Sequence, residues 1–378
     1  MGLKENIKLS KSFIGPEEID SVIEILKKGY FGMGPEVKLF EEELSRFFGR
    51  EAICVNTGTS ALQLALQSIG VGEGDEVLVQ SLTYVACFQA ISATGATPIA
   101  CDVEPNTLTI CLTDAKRKIS PKTKAIMPVH YAGNPGCLED IYLFGKQHNL
   151  RIVEDASHSF GSIYQGKLIG SMGDVCCISL DGIKNITSGE GGLILLDNSS
   201  TANKLRDIRL LGVEGDSAKR AAGLRSWNFD VSEQGWRYHM SDIMAAIGRA
   251  QLKKFSLLKT QRQFLATRYK QLLDQNHVRL NDADYSLIVP HIFAIRVNPM
   301  YRDRLVVHLE NDHNISVGLH YRPNHLLTFY NDNQDNSTLS VTEEVYRSII
   351  TLPLHPGMTE GQVEFICGVV NNYLHAEV

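Results

Sequence analysis

The stretch Ser179-Leu180-Asp181-Gly182-Ile183-Lys184-Asn185-Ile186-Thr187-Ser188-Gly189-Glu190-Gly191-Gly192 sets the reading of the whole chain. An apolar run, Val175 to Leu180, leads into it, and a glycine-rich turn follows Lys184. Upstream, Ile152-Val153-Glu154-Asp155 is a second apolar run that ends in carboxylates. Runs apolar on both faces are what a sheet covered on both sides requires. Such runs recur at Ala52 to Val55, Glu76 to Val79, Pro98 to Cys101, Ala125 to Val129 and Leu193 to Leu196. Helical spacing accompanies them over 17–28, over 36–48 and from Ser60 to Ile69, where Gly70 closes the helix. The alternation predicts an α/β fold with a large domain built on a mostly parallel sheet.

A chain of 378 residues with 43% hydrophobic content has room for more than one core. A long helical pattern over 241–275 marks the passage to a second unit. Beyond it, a strand from Leu287 to Val297 and helices at 300–311 and 359–375 predict a smaller C-terminal α/β domain. The expected division is 1–250 and 251–378. Asn331 to Ser337 is polar and reads as a loop, and no internal repeat is present.

Net charge is −6, with both signs dispersed and no basic patch, which argues against a nucleic-acid partner. Eight scattered cysteines without a C-x-x-C pair read as free thiols of a reducing compartment. Adjacent Cys176 and Cys177 should point to opposite faces of one strand. The N-terminus lacks a signal-peptide stretch and no apolar segment approaches membrane-spanning length, so a soluble, cytoplasmic protein is expected. The twelve histidines show no H-E-x-x-H spacing, and no metal is expected.

A lysine and an aspartate, each at the exit of a buried strand, are the two groups that pyridoxal phosphate chemistry requires. The lysine amine joins the aldehyde, and the aspartate keeps the pyridine nitrogen protonated. Singly, Lys184 also fits a solvated loop and Asp155 an ordinary strand-end acid. Other pieces follow in order. Asn56-Thr57-Gly58-Thr59-Ser60 lies between strand and helix, where free N–H groups bind anions; simple helix capping accounts for it equally. Tyr84 stands beyond a strand end, placed to stack on a planar ring or to pack half-buried. His158, three residues after Asp155, can bond a ring hydroxyl or the aspartate, or sit satisfied in the core. Ser179 is a further phosphate donor candidate.

Together these motifs resemble the DegT/DnrJ/StrS family of pyridoxal-phosphate-dependent sugar aminotransferases. The resemblance runs almost end to end. It takes in Gly15-Pro16-Glu17-Glu18-Ile19, Gly34 to Glu41, Asn56 to Leu62, Gly72 to Val77, Ser81 to Tyr84 and Gly95 to Pro98. It continues through Val129 to Gly133, Val153 to Ala156, Lys184 with Gly189 to Gly192, Met240 to Gly248 and His320-Tyr321. It implies a fold-type-I aminotransferase working as a homodimer with shared active sites. By it, Lys184 is the Schiff-base lysine and proton shuttle, and Asp155 pairs with the pyridine nitrogen. Tyr84 stacks on the ring and His158 stands beside the ring oxygen. Thr59, Ser60 and Ser179 hold the phosphate, and Gly235 to Met240, with Arg237, reaches the neighbour's site. Asp181, His320 and Tyr321 face the substrate. The implied reaction moves an amino group from an amino acid, L-glutamate foremost, to a keto sugar. That sugar is expected to be a nucleotide-linked 4-keto- or 3-keto-6-deoxy sugar. The product serves cell-surface polysaccharide, including lipopolysaccharide O-antigen, or glycoside biosynthesis.

Three departures from the family pattern stand out. Arg237 replaces Asn and His239 replaces Arg. Asp181 replaces the His of Ser-Phe-His, where it can tune substrate choice or Lys184 basicity, or sit as a solvated turn residue. Arg322-Pro323-Asn324-His325 differs where sugar contacts are expected. Two alternatives follow from the same fold: a sugar dehydratase, in which histidine replaces the lysine, and a non-catalytic regulator, which would be expected to lose Asp155 or Lys184.

Overall fold

The computed structural model describes residues 6–216, 219, 222, 224, 228–331 and 338–377. Seven strands form the main sheet: β1 (Glu51–Val55), β2 (Glu76–Gln80), β3 (Thr97–Cys101), β4 (Thr123–Met127), β5 (Arg151–Asp155), β8 (Val175–Ser179) and β9 (Gly192–Leu196). A small hairpin, β6 (Ile163–Tyr164) and β7 (Lys167–Leu168), falls between β5 and β8. The spatial order is β1-β9-β8-β5-β4-β2-β3, and only β9 runs against its neighbours. The strands fall within a residue or two of the sequence reading because each is a short run buried on both faces.

Period-two alternation splits the interior into two layers. Leu78, Ile126, Ile152 and Cys176 face the layer that includes helix Pro35–Phe48 and helix Leu138–His148. Val77, Val79, Val153 and Cys177 face the layer under helix Gly58–Ser68 and helix Ala86–Ser92. Cys176 and Cys177 therefore part to opposite faces, and all eight cysteines are free.

A second sheet is antiparallel, ordered β10 (Arg279–Leu280), β11 (Phe293–Arg296) and β12 (Ile349–Leu352). It packs on helix Phe255–Leu272 and helix Glu360–Glu377 around Tyr269, Phe293 and Ile366. The N-terminal segment joins this unit: Ile7 bridges Ile315, and Leu354 N donates to Leu9 O at 3.1 Å.

Two readings change. The pattern over 241–275 is two helices, Asp242–Lys253 and Phe255–Leu272. The break turns Phe255 onto the rings of Phe160 and Phe47, at 4.9 and 5.9 Å. The strand from Leu287 shortens to β11 because Pro290 has no N–H for a ladder and the Val289 carbonyl is taken by Asn185. Of the polar stretch 331–337, all but Asn331 lies outside the described residues. Among the described residues no helix is long and apolar enough to cross a membrane.

Candidate active site

The carboxyl ends of β2, β4, β5 and β8 open on one cavity of about 490 Å³. Openings at strand carboxyl ends are where α/β sheets bind ligands, and this volume suits a small cofactor with substrate. Thr59, Tyr84, Asp155, His158, Ser179, Asp181, Lys184, His320 and Tyr321 all line it. The sequence places these residues up to hundreds of positions apart, and the sheet gathers them.

One end of the cavity is an anion cradle. Thr57 caps helix Gly58–Ser68, accepting from Ser60 N at 3.0 Å. Gly58 is required there: a Cβ would stand 2.8 Å from Ser179 Cβ. Gly192 is required beneath it, since a Cβ would meet Thr57 O at 2.1 Å. The helix start is thus pressed onto Ser179, and its first residues, Gly58 and Thr59, line the cavity, where a helix N-terminus favours an anion. Ser60 does not join them. Its hydroxyl sits inside the capping box, 2.8 Å from Asn56 Oδ1 and from Thr57 O, and Ser60 is not among the residues that line the cavity.

Asp155 lies at the other end. Alternation along β5 sends Glu154 to the opposite face, where Tyr142 donates to it at 2.9 Å and His130 lies 3.2 Å away. Asp155 Oδ1 accepts from Ser157 N at 3.0 Å, and Oδ2 accepts from the Cys87 thiol at 2.9 Å. Burial, and then the Asp155 charge, push the Cys87 thiol well above the usual thiol range, so it stays a donor. Cys87 was legible only as a core thiol.

Lys184 stands between these ends. Burial holds its amine at about 8, against the opposing charges of Asp155 and Asp181. The free amine should therefore become more reactive as pH rises and level off above about 8, which the pH dependence of its modification rate would show. Asp181 Oδ1 accepts from Ile183 N at 3.2 Å, which shapes the turn into Lys184. The Arg262 guanidinium, buried in the second unit, donates to the carbonyls of Ile183 and Lys184 at 3.2 and 3.5 Å. His291 enters from the same unit, its Nε2 3.3 Å from Lys184 Nζ. Neither Arg262 nor His291 carries a local sequence signal.

The wall opposite is aromatic and histidine-rich. Ala132 N donates to His158 Nδ1 at 3.3 Å, which assigns the ring proton to Nε2. That proton points at the Tyr321 hydroxyl, 3.0 Å away, and leaves the Tyr321 hydrogen for the cavity. Burial, then Lys184, push His158 well below the usual imidazole range and His320 to about 4, so both rings are neutral at pH 7. Tyr84 is 60% exposed, with its ring 5.9 Å from that of Tyr321.

One expectation meets a different structure. Asn324 and His325 are buried and make no lining. Asn324 Nδ2 donates to Ser81 O and Thr83 O at 3.1 and 2.8 Å, and His325 N donates to Ser81 Oγ at 3.1 Å. They clamp the loop that carries Tyr84. Asn324→Ala would leave the Thr83 carbonyl without its donor, while Ser81 O keeps the Asn324 backbone N–H at 3.0 Å, and should lower unfolding free energy by about 1–3 kcal/mol in a denaturant titration. Arg237 lies outside the cavity lining and is exposed. Its neighbours are pinned, Trp236 Nε1 to Gln67 at 2.9 Å and Tyr238 Oη to Gln63 at 3.0 Å. Among the described residues one group has metal-ligand geometry, Asp274, His277 and His375, outside this cavity. Its carboxylate and His375 already bond at 2.8 Å.

The donor set fits pyridoxal phosphate. A helix start with Ser179 suits a phosphate, a braced carboxylate suits a pyridinium N–H, and a half-buried, low-pKa lysine suits an aldehyde. Comparison with known proteins agrees. A profile of the DegT/DnrJ/EryC1/StrS aminotransferase family matches residues 12–371. The aminotransferase TlmJ from Streptoalloteichus hindustanus superposes with a TM-score of 0.90 at 29% identity, over 99% of this chain and 100% of that one. DesV from S. venezuelae, solved with a ketimine intermediate, gives 0.85 at 30% identity over 95% and 94%. The PLP-form of the putative sugar aminotransferase Spr1654 from Streptococcus pneumoniae gives 0.89 at 26% identity over 99% and 100%. The chain belongs to the DegT/DnrJ/EryC1/StrS aminotransferase family and is a pyridoxal-phosphate-dependent sugar aminotransferase.

Proposed function

We propose that this enzyme transfers the amino group of L-glutamate to a nucleotide-linked 4-keto- or 3-keto-6-deoxy sugar. The product would feed cell-surface polysaccharide, such as O-antigen, or glycoside biosynthesis in the cytoplasm. The observation that carries the reading is Lys184, half-buried in one cavity with Asp155, its amine lowered to about 8 by burial. Pyridoxal phosphate supplies an electron sink for deprotonation next to nitrogen. Lys184 holds the aldehyde at rest and, once freed, moves the proton on its face of the ring. Asp155 keeps the pyridine N–H, its orientation braced by Cys87 and Ser157. The helix start at Gly58, with Thr59 and Ser179, binds the phosphate. Tyr84 covers the ring, and Tyr321, held by His158, offers its hydroxyl hydrogen to the cavity. Asp181, His320 and Tyr321 border the substrate space.

The proposal includes a homodimer. Ile19, Leu26 and Phe31 are about half exposed along the N-terminal helix and the turn after it. Arg237 stands exposed on a pinned segment, placed to give a partner's phosphate two donors. It also divides the chain near residue 250, with the Ile7–Leu9 segment attached to the second unit. Incubation with L-glutamate, pyridoxal phosphate and a panel of keto nucleotide sugars tests the reaction. Formation of 2-oxoglutarate with a matching amino sugar is expected. Oxoglutarate without any amino sugar would reject the acceptor class, and neither product would reject the donor.

A further inference from the structure

We propose that His291 is a positioning residue for Lys184: its Nε2–H donates to the uncharged form of the Lys184 amine and raises the share of that nucleophilic form. The proposal rests on the reading of Lys184 as the cofactor lysine. His291 is 4% exposed and lines the cavity, with Nε2 3.3 Å from Lys184 Nζ. Its Nδ1 is buried without a hydrogen-bond partner among the described residues. A neutral imidazole carries one N–H and one lone pair. Placing the hydrogen on Nδ1 would bury an orphan donor, whereas placing it on Nε2 leaves only a bare lone pair there. Buried orphan N–H groups are the rarer of the two defects. The hydrogen therefore belongs on Nε2 and points at Nζ. An ammonium has no lone pair to receive it, but a neutral amine does.

The spacing is held by the backbone on both sides. The Arg262 guanidinium donates to the Pro290 and His291 carbonyls at 3.4 and 3.1 Å and to the Ile183 and Lys184 carbonyls at 3.2 and 3.5 Å. One planar, charged group thus fixes the two residues relative to each other. The groups facing the pair divide: Asp155 and Asp181 favour an ammonium, and Arg262 opposes it. His158, with its ring 4.5 Å from that of His291, and His320 face His291. Burial, then Lys184, keep His291 well below the usual imidazole range, so it donates as a neutral ring.

The test uses the full-length protein freed of cofactor, with pyridoxal phosphate alone as probe. Capture joins Nζ to the aldehyde carbon, and the aldehyde oxygen leaves as water with the two amine hydrogens. The rate of this absorbance change is followed against pH for wild type, His291→Gln, His291→Leu and His291→Met. The glutamine amide nitrogen can take the place of Nε2 and donate, whereas Leu and Met fill similar space without a donor. Leu and Met should slow capture near pH 8 by about tenfold, the loss of one buried hydrogen bond, while Gln stays near the wild-type rate. Met replaces Leu should the Leu variant fail to fold. Equal rates for Gln and the non-donor variants would mean that His291 only packs, and would overturn the proposal. Wild-type protein that captures nothing would sink the reading of Lys184 itself, an outcome distinct from losing the Gln difference.

Discussion

Replacing Lys184 with Ala is expected to lower amino transfer by about four orders of magnitude, the upper range for a lost proton-transfer group. The same side chain has a second task in holding the aldehyde. The fold should persist, because the carboxylates that face the amine are held by other donors. Asp155 and Asp181 keep their own bonds to Ser157, Cys87 and Ile183. Steady-state release of 2-oxoglutarate measures the loss, and circular dichroism confirms the fold. A variant within tenfold of wild type would show that the proton moves elsewhere.

Asp155→Asn is expected to lower turnover by about 100-fold. A hydrogen bond to a charged group is worth about 1.5–3 kcal/mol, and each 1.36 kcal/mol is tenfold in rate. The substitution keeps the side chain's size but removes the charge that retains a proton on the pyridine nitrogen. It also turns a donor toward Cys87 or Ser157, both of which already donate to this position. The amide must then point one N–H at another donor. The loss should therefore appear in kcat together with weaker cofactor retention, read as slower turnover and easier removal by dialysis. Unchanged kcat would mean that the ring needs no protonated nitrogen here.

The main sheet was legible because its strands are short apolar runs bounded by glycine and polar turns, a local property. Asp155 and Lys184 were legible for the same reason, each standing at the end of such a run. Ser60 shows the limit of that reading. Its residue type and place suit a phosphate ligand, but Asn56 and Thr57 lie closer to its hydroxyl and take it for the cap. His291 and Arg262 reach the site from the second unit, and Lys184 and His291 meet across 107 positions of sequence. No periodicity in the sequence records such a meeting. Asn324 and His325 looked like substrate contacts because they follow His320 and Tyr321, yet the loop turns them inward against Ser81.

The most direct test is to load the purified protein with pyridoxal phosphate, reduce it with borohydride and map the modified peptide by mass spectrometry. The cofactor is expected on Lys184 and on no other lysine. Modification of another lysine, or none at all, would contradict the site described here.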